Sequence, residues 1–322
     1  MFRITIRLLR LEPSGAAKIK DNIYLLSMNG GMYFCDLQTK IVKLEHKFKK
    51  GMRNPLDIAE VENVEGFTDG IYYGEYSFNE ELKDVSIFMR SSKMKEQWEK
   101  VYTFSGEKIN HIHAMVPDKY RKCLWILTGD TDEGSGIWMA KENFHIVKPL
   151  LIGKQQYRAC ALAVYENHLM FCTDTPLEDN ALYLVSEIKE DDELTCVIDK
   201  VKDLPGPCIY STMVGEYFVF STTVEPDPCM ERKRYLFTGK TGKGVKDRYT
   251  HLFCADKSLN VQEIAAEKKD FLPMGLFQFG TVQFPKQKEQ EKVHCYFNST
   301  VRYEGQWSEY QIKCENNMLG ES

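Results

Sequence analysis

The chain is poor in several features that would each mark a class of protein. Its ten cysteines include no C-x-x-C pair and lie in apolar strand-like runs, which excludes a zinc ribbon or a disulfide framework and points to reduced core thiols. Histidine is scarce, with seven residues in 322, so a metal centre has few ligands to draw on. No window approaches the roughly 18 apolar residues of a membrane-spanning helix. Neither sign of charge dominates: 42 Lys and Arg face 47 Asp and Glu, the net charge is -5, and the overall field gives no support for a nucleic-acid partner. Long amphipathic helices are missing, and the stretch 93–97 is too short to count. The opening residues 1–10 interrupt their apolar positions with arginines. They lack the continuous core of a signal peptide, which sets the expectation of a cytoplasmic protein.

What the sequence does contain is a recurring set of short strands. With 43% hydrophobic residues, 322 residues can bury the core of a single large all-β domain spanning 1–322. Residues 22–27, 32–35 and 40–44 form a meander separated by polar turns, and the design returns in 70–76, 85–89 and 98–104. Further groups follow at 109–149, 157–198, 209–255 and 276–314. The spacing of about 40 to 60 residues is that of propeller blades. Six blades is the count, and five or seven would need one misassigned group. The last group is short of a strand. The alternating run Phe2, Ile4, Ile6, Leu8 is expected to supply it and close the ring.

The centre of the chain carries the chemistry. The second strands of successive groups end in Gly74-Glu75, Gly129-Asp130, Thr173-Asp174 and Thr223-Val-Glu225, and in a propeller such ends surround the central opening. Glu75, Asp130 and Asp174 would then converge, and clustered carboxylates shift one another's pKa values, as acid/base chemistry requires. The alternative is turn chemistry, since Asp, Thr and Gly commonly hold a turn after a strand. His111 and His113 lie two apart on a strand and point to one side, as proton shuttles, ligands or packed core residues. His113, followed by Ala114-Met-Val116, is the stronger catalytic candidate. In the next group Tyr157 and Arg158 take the equivalent place, and Arg158 suits a carboxylate, sulfate or phosphate, or an ion pair with Asp130 or Asp174. Tyr157, Arg158, His111 and Thr175 form the candidate substrate-binding set. The basic segment 235–248 lacks the first glycine of a phosphate loop and reads as a mobile excursion of the fifth blade. Asn298-Ser-Thr300 fits a glycosylation sequon without bearing on a chain of this kind, and 286–292 reads as a charged hairpin tip.

The series His111-x-His113, Thr128-Gly-Asp130, Gly136-Ile-Trp138 and Thr173-Asp-Thr-Pro176 resembles the sialidase-like (BNR-repeat) propeller superfamily, in particular a bacterial branch of it. Ser91 to Trp98 keeps the spacing and ends of that family's Asp-box, without its Asp and Gly. The resemblance covers about the middle half of the chain and implies a propeller with a carbohydrate ligand. The family's arginine triad and Tyr/Glu nucleophile pair have no counterpart here, which puts sialidase activity in doubt.

These observations favour a glycan-active propeller, a glycoside hydrolase or polysaccharide lyase, acting through Glu75, His113, Asp130 and Asp174 at one face. Its partner would be a carbohydrate or another anionic small molecule, and no cofactor is expected. In a hydrolase two carboxylates would flank the scissile bond; in a lyase His113 would abstract a proton while Arg158 or a metal neutralised a sugar carboxylate. A non-catalytic propeller binding a glycan or protein is the alternative. A metal-dependent enzyme using His111, His113 and the loop 130–133 ranks last because histidine is so scarce.

Overall fold

Strands in the middle of the chain are apolar at consecutive positions, as in Cys123-Leu-Trp-Ile-Leu127, because their sheets are covered on both faces. The computed structural model, which describes residues 2–92, 96–285 and 291–312, is a six-bladed β-propeller. Blade 1 holds β1 (Gly15–Lys20), β2 (Ile23–Met28), β3 (Gly31–Asp36) and β4 (Ile41–Lys47). Blade 2 holds β5 (Ala59–Val61), β6 (Gly70–Gly74), β7 (Val85–Ser91) and β8 (Trp98–Phe104). Blade 3 follows with β9 (His111–Asp118), β10 (Cys123–Gly129), β11 (Gly136–Lys141) and β12 (Ile146–Ile152). Blade 4 contains β13 (Ala159–Val164), β14 (Leu169–Thr173), β15 (Asn180–Glu190) and β16 (Leu194–Leu204). Blade 5 contains β17 (Cys208–Val214), β18 (Tyr217–Thr222), β19 (Tyr249–Ala255) and β20 (Val261–Lys268). Blade 6 has the three described strands β21 (Thr281–Gln283), β22 (Val293–Asn298) and β23 (Gln306–Tyr310). Each blade is an antiparallel meander in chain order.

Alternation along the strands builds the seams between blades. On β10, Leu124 and Ile126 join a cluster with Tyr72 and Ile87 of blade 2, while Cys123, Trp125 and Leu127 join one with Phe171 and Val185 of blade 4. Equivalent clusters join blades 1 and 2 through Leu25, Met32, Ile71 and Tyr73, blades 4 and 5 through Met170, Leu182, Phe218 and Phe220, and blades 5 and 6 through Val219, Leu252, Val282 and Phe297. Among the described residues, no apolar cluster joins blade 6 to blade 1.

That last seam corrects the expected closing strand. The N-terminal run is a short helix, α1 (Arg3–Leu9), which leaves Phe2, Ile4 and Leu8 exposed and buries Arg7. A helix places Arg3 and Arg7 one turn apart on one side. Arg3 then pairs with Glu12 at 2.6 Å and Glu304 at 3.0 Å, while Arg7 pairs with Asp270 at 2.6 Å and donates to the Phe277 carbonyl at 2.6 and 2.9 Å. Tyr296 on β22 donates to Glu12 at 2.6 Å. These charge-assisted contacts outweigh a two-residue periodicity carried by only four apolar residues.

Other expectations are corrected at their edges. The break at Pro13-Ser-Gly15 conceals β1, which begins at Gly15. Leu276 and Phe277 belong to a helical turn over Met274–Phe277 rather than to a strand. The basic excursion of blade 5 is docked on blade 4: a Cβ on Gly244 would lie 2.2 Å from the Glu178 carbonyl, and its N–H donates to the Pro176 carbonyl at 3.0 Å. Asn298 is buried and donates to Gln278 at 2.6 Å. Residues 93–95 of the Asp-box-like segment, 286–290 of the charged run and Cys314 lie outside the described residues. No helix among the described residues is long and apolar enough to cross a membrane.

Candidate functional site

The site forms where blades 3, 4 and 5 meet at one end of the ring. A register shift between Leu127 and Thr128 brings Thr128 opposite Ile112 and Gly129 opposite His111. Gly129 is fixed by close approach: a Cβ there would stand 2.4 Å from His113 Cε1 and 3.2 Å from Arg158 Cγ. The loop after it is held from below by Asn110, whose Oδ1 accepts from the N–H of Asp130 at 2.9 Å and of Thr131 at 3.0 Å. Gln155 donates to the Asp130 carbonyl and to Asp132 Oδ1, both at 2.9 Å, and accepts from the Thr175 hydroxyl at 2.9 Å.

Asp130 Oδ1 is the point on which the side chains converge. It lies 2.9 Å from Arg158 Nη2 and 3.4 Å from Nε2 of both His111 and His113. The two Nε2 atoms are 3.0 Å apart, while His111 Nδ1 meets the Ser77 carbonyl at 2.8 Å and His113 Nδ1 meets the Ala159 carbonyl at 2.9 Å. Behind Asp130, Arg158 Nε lies 3.6 Å from Asp174 Oδ2, which accepts from the Cys160 thiol at 3.1 Å. Arg158 Nε and Asp174 Oδ1 are buried without a hydrogen-bond partner. Asp130 faces the mouth with its side chain 39% exposed, whereas those of His111, His113 and Asp174 are 4%, 1% and 4% exposed.

Charge is distributed unevenly over this group. Burial pushes Asp130 up, but Arg158 and the two imidazoles outweigh it and hold the carboxyl well below the usual range. At Asp174 burial prevails over Arg158 and the pKa rises well above that of an ordinary carboxyl. Glu225 is raised by burial, against a 2.5 Å hydrogen bond from Thr223 and the pull of Arg158. Burial lowers His113 and raises Cys160, the latter with help from Asp174. Burial also pushes Tyr210 up to about 12.

The structure thus brings together His111, His113, Asp130, Arg158 and Asp174. It does not bring Glu75 to them, since Glu75 Oε2 accepts from the Ser86 N–H at 2.8 Å inside blade 2. The Tyr157 ring packs on the apolar seam between blades 3 and 4, and Thr175 holds the Asn180 turn and Gln155. Residues not singled out from the sequence complete the site. Cys160 is the second residue of β13, Glu225 ends the β18 excursion, and the Tyr76 ring stands edge-on to His111 at 4.3 Å. The strand-end pattern already held Glu225, but the other two carry no signal outside the fold. Among the described residues, His111, His113 and Asp130 form one group with three metal-ligating atoms within 4.8 Å of one another, and His113, Cys160 and Asp174 form another.

No family model matches the chain, and neither does any curated protein. Solved structures do resemble it. An oligogalacturonate lyase in complex with manganese shares 11% identity at a TM-score of 0.51, over 90% of this chain and 73% of that one. A Bacteroides thetaiotaomicron protein of unknown function shares 10% at 0.51, over 92% and 68%. The oligogalacturonate lyase of Vibrio parahaemolyticus shares 10% at 0.48, over 91% and 75%. At such identities the likeness establishes the β-propeller fold alone.

Proposed function

We propose that this propeller is sugar-active and takes an anionic saccharide at the mouth between blades 3, 4 and 5, cleaving it by elimination. The observation that carries this reading is the meeting of one half-exposed carboxylate, one guanidinium and two imidazole nitrogens at Asp130 Oδ1. Hydrolysis places two carboxyls on either side of a glycosidic bond. Here Asp174 is sealed behind Arg158, which leaves Asp130 as the accessible carboxylate of the pair. Sialidase chemistry draws on three arginines, and among the described residues Arg158 is the one that contacts this cluster.

Elimination asks for less. A cation must take the sugar carboxylate, and a proton must leave the neighbouring carbon so that its C–H pair forms the C=C bond while the C–O pair departs with the leaving oxygen, which takes up a proton from water. Arg158 serves as the cation. The carboxylate of Asp130, the group that faces the mouth, receives the proton, and His111 and His113 act from behind it.

Oligogalacturonates, the substrates named for one structural neighbour, provide the test. Elimination gives a conjugated product with a rise in near-ultraviolet absorbance, lost in Asp130→Asn. New reducing ends without that absorbance would overturn elimination in favour of hydrolysis. Saccharide binding without either product, weakened in Arg158→Lys, would replace the reading with a non-catalytic sugar-binding propeller.

A further inference from the structure

We infer that His111, His113 and Asp130 bind a divalent first-row transition-metal ion. The argument begins at the far side of each ring. Nδ1 of His111 faces the Ser77 carbonyl at 2.8 Å and Nδ1 of His113 faces the Ala159 carbonyl at 2.9 Å. A carbonyl oxygen only accepts, so both Nδ1 atoms carry a proton, and in the neutral rings both Nε2 atoms present bare lone pairs. Those lone pairs face each other at 3.0 Å, and each lies 3.4 Å from the ionised oxygen of Asp130. Three acceptors facing inward with no hydrogen among them repel one another unless a cation lies between them.

The spacing fits such an ion. Two ligands about 2.0–2.1 Å from a zinc-sized ion stand about 3.3 Å apart at the tetrahedral angle. The observed separations are 3.0, 3.4 and 3.4 Å. The Nδ1–H to carbonyl contacts are the outer-shell pattern that orients metal-binding imidazoles. Paired imidazole nitrogens favour a transition metal over magnesium or calcium, which prefer all-oxygen sites.

A second observation points to the same place. Asp174 Oδ1 is buried without a partner, and its carboxyl oxygen, Cys160 Sγ and a ring nitrogen of His113 lie within 4.8 Å of one another. Asp130 then bridges the ion to Arg158, and the half-exposed side of the site leaves coordination positions open to the mouth. The use of those positions by a sugar rests on the elimination reading; the binding of the ion does not.

Protein made without a polyhistidine tag, stripped with chelator and titrated with Co²⁺ and Zn²⁺, tests this without any sugar. One equivalent per chain is expected, with visible Co²⁺ bands of nitrogen ligation, and His111→Gln and Asp130→Asn should each weaken binding by at least about tenfold. His251→Gln is the control, because His251 lies 3.1 Å from both Asp247 and Glu263 at a separate histidine–carboxylate group. Thermal unfolding confirms that each variant is folded, and the exposed Asp130 keeps the test open if His111→Gln is not. Absence of a bound equivalent in the folded wild type would overturn the inference and assign a shared proton to the two Nε2 atoms. Unchanged affinity in both site variants, or loss only in His251→Gln, would overturn it equally. A bound ion without turnover leaves this inference standing and counts against elimination; failure to bind one equivalent while the stripped protein turns over sugar overturns this inference and leaves elimination standing.

Discussion

Beneath α1, the buried charges of Arg7, Asp270 and Lys269 make a closed set of contacts, whereas those around Asp130 stay open. Lys269 Nζ meets Asp270 Oδ1 and the carbonyls of Leu272 and Asp270, and Arg7 meets Asp270 and the Phe277 carbonyl. At the mouth, Arg158 Nε and Asp174 Oδ1 have no hydrogen-bond partner, and Asp130 reaches solvent. Both groups lie at seams of the same ring. The difference teaches which of them serves the fold: a satisfied ion group holds two blades together, and an incompletely satisfied one keeps polar capacity for something that arrives from outside.

Substitutions can break this contrast. The largest effect is expected from Asp130→Asn, a loss of about 10²- to 10⁴-fold in turnover with little change in denaturant midpoint; a purely structural Asp130 would show the opposite. Arg7→Ala should cost about 1–3 kcal/mol of stability by leaving Asp270 with Lys269 as its remaining cation and removing both Arg7 donors from the Phe277 carbonyl, with turnover per folded molecule unchanged. Urea unfolding measures it, and a cost below about 1 kcal/mol would erase the distinction. Gly129→Ala drives a Cβ against His113 and should cost about 1–3 kcal/mol while disabling the site, as read by unfolding and turnover together.

The smallest effect concerns pH. Burial raises the folded-state pKa of Glu225, so the folded chain binds that proton more tightly than the unfolded one. Its contribution is full below an unfolded value of about 4.3 and is lost as pH rises through the folded pKa. Glu225→Gln cannot ionise, so its stability at pH 7 should equal or exceed the wild type by about 1 kcal/mol. The gap between urea midpoints at pH 4 and pH 7 should narrow. An unchanged gap would count Glu225 among the closed contacts.

The repeating strands and their carboxylate-tipped ends were legible because period-two burial and meander turns leave local marks in sequence. His111-x-His113 and Arg158 could be placed at one opening for the same reason. The N-terminal segment was misread because its four apolar residues alternate, while the decisive partners of Arg3 and Arg7 lie some 260 to 300 positions away, at Asp270 and Glu304. Cys160 and Tyr76 escaped notice because a thiol in an apolar strand and a tyrosine after one look like core. Glu75 shares the strand-end pattern with Asp130 but turns back to the Ser86 N–H, a choice that depends on the geometry of its own hairpin.

The helical closure has a mechanical consequence. A ring sealed by a borrowed strand is register-locked, since slipping one residue would turn every side chain to the wrong face. Here the last joint is a clasp of arginines and carboxylates between α1 and blade 6, beside five joints of close-packed hydrocarbon. Such a clasp yields by rotating side chains rather than by breaking a ladder, so compliance of the ring is concentrated between blades 6 and 1. The mouth between blades 3 and 5 lies across the circle from that joint, among the hydrocarbon-packed seams.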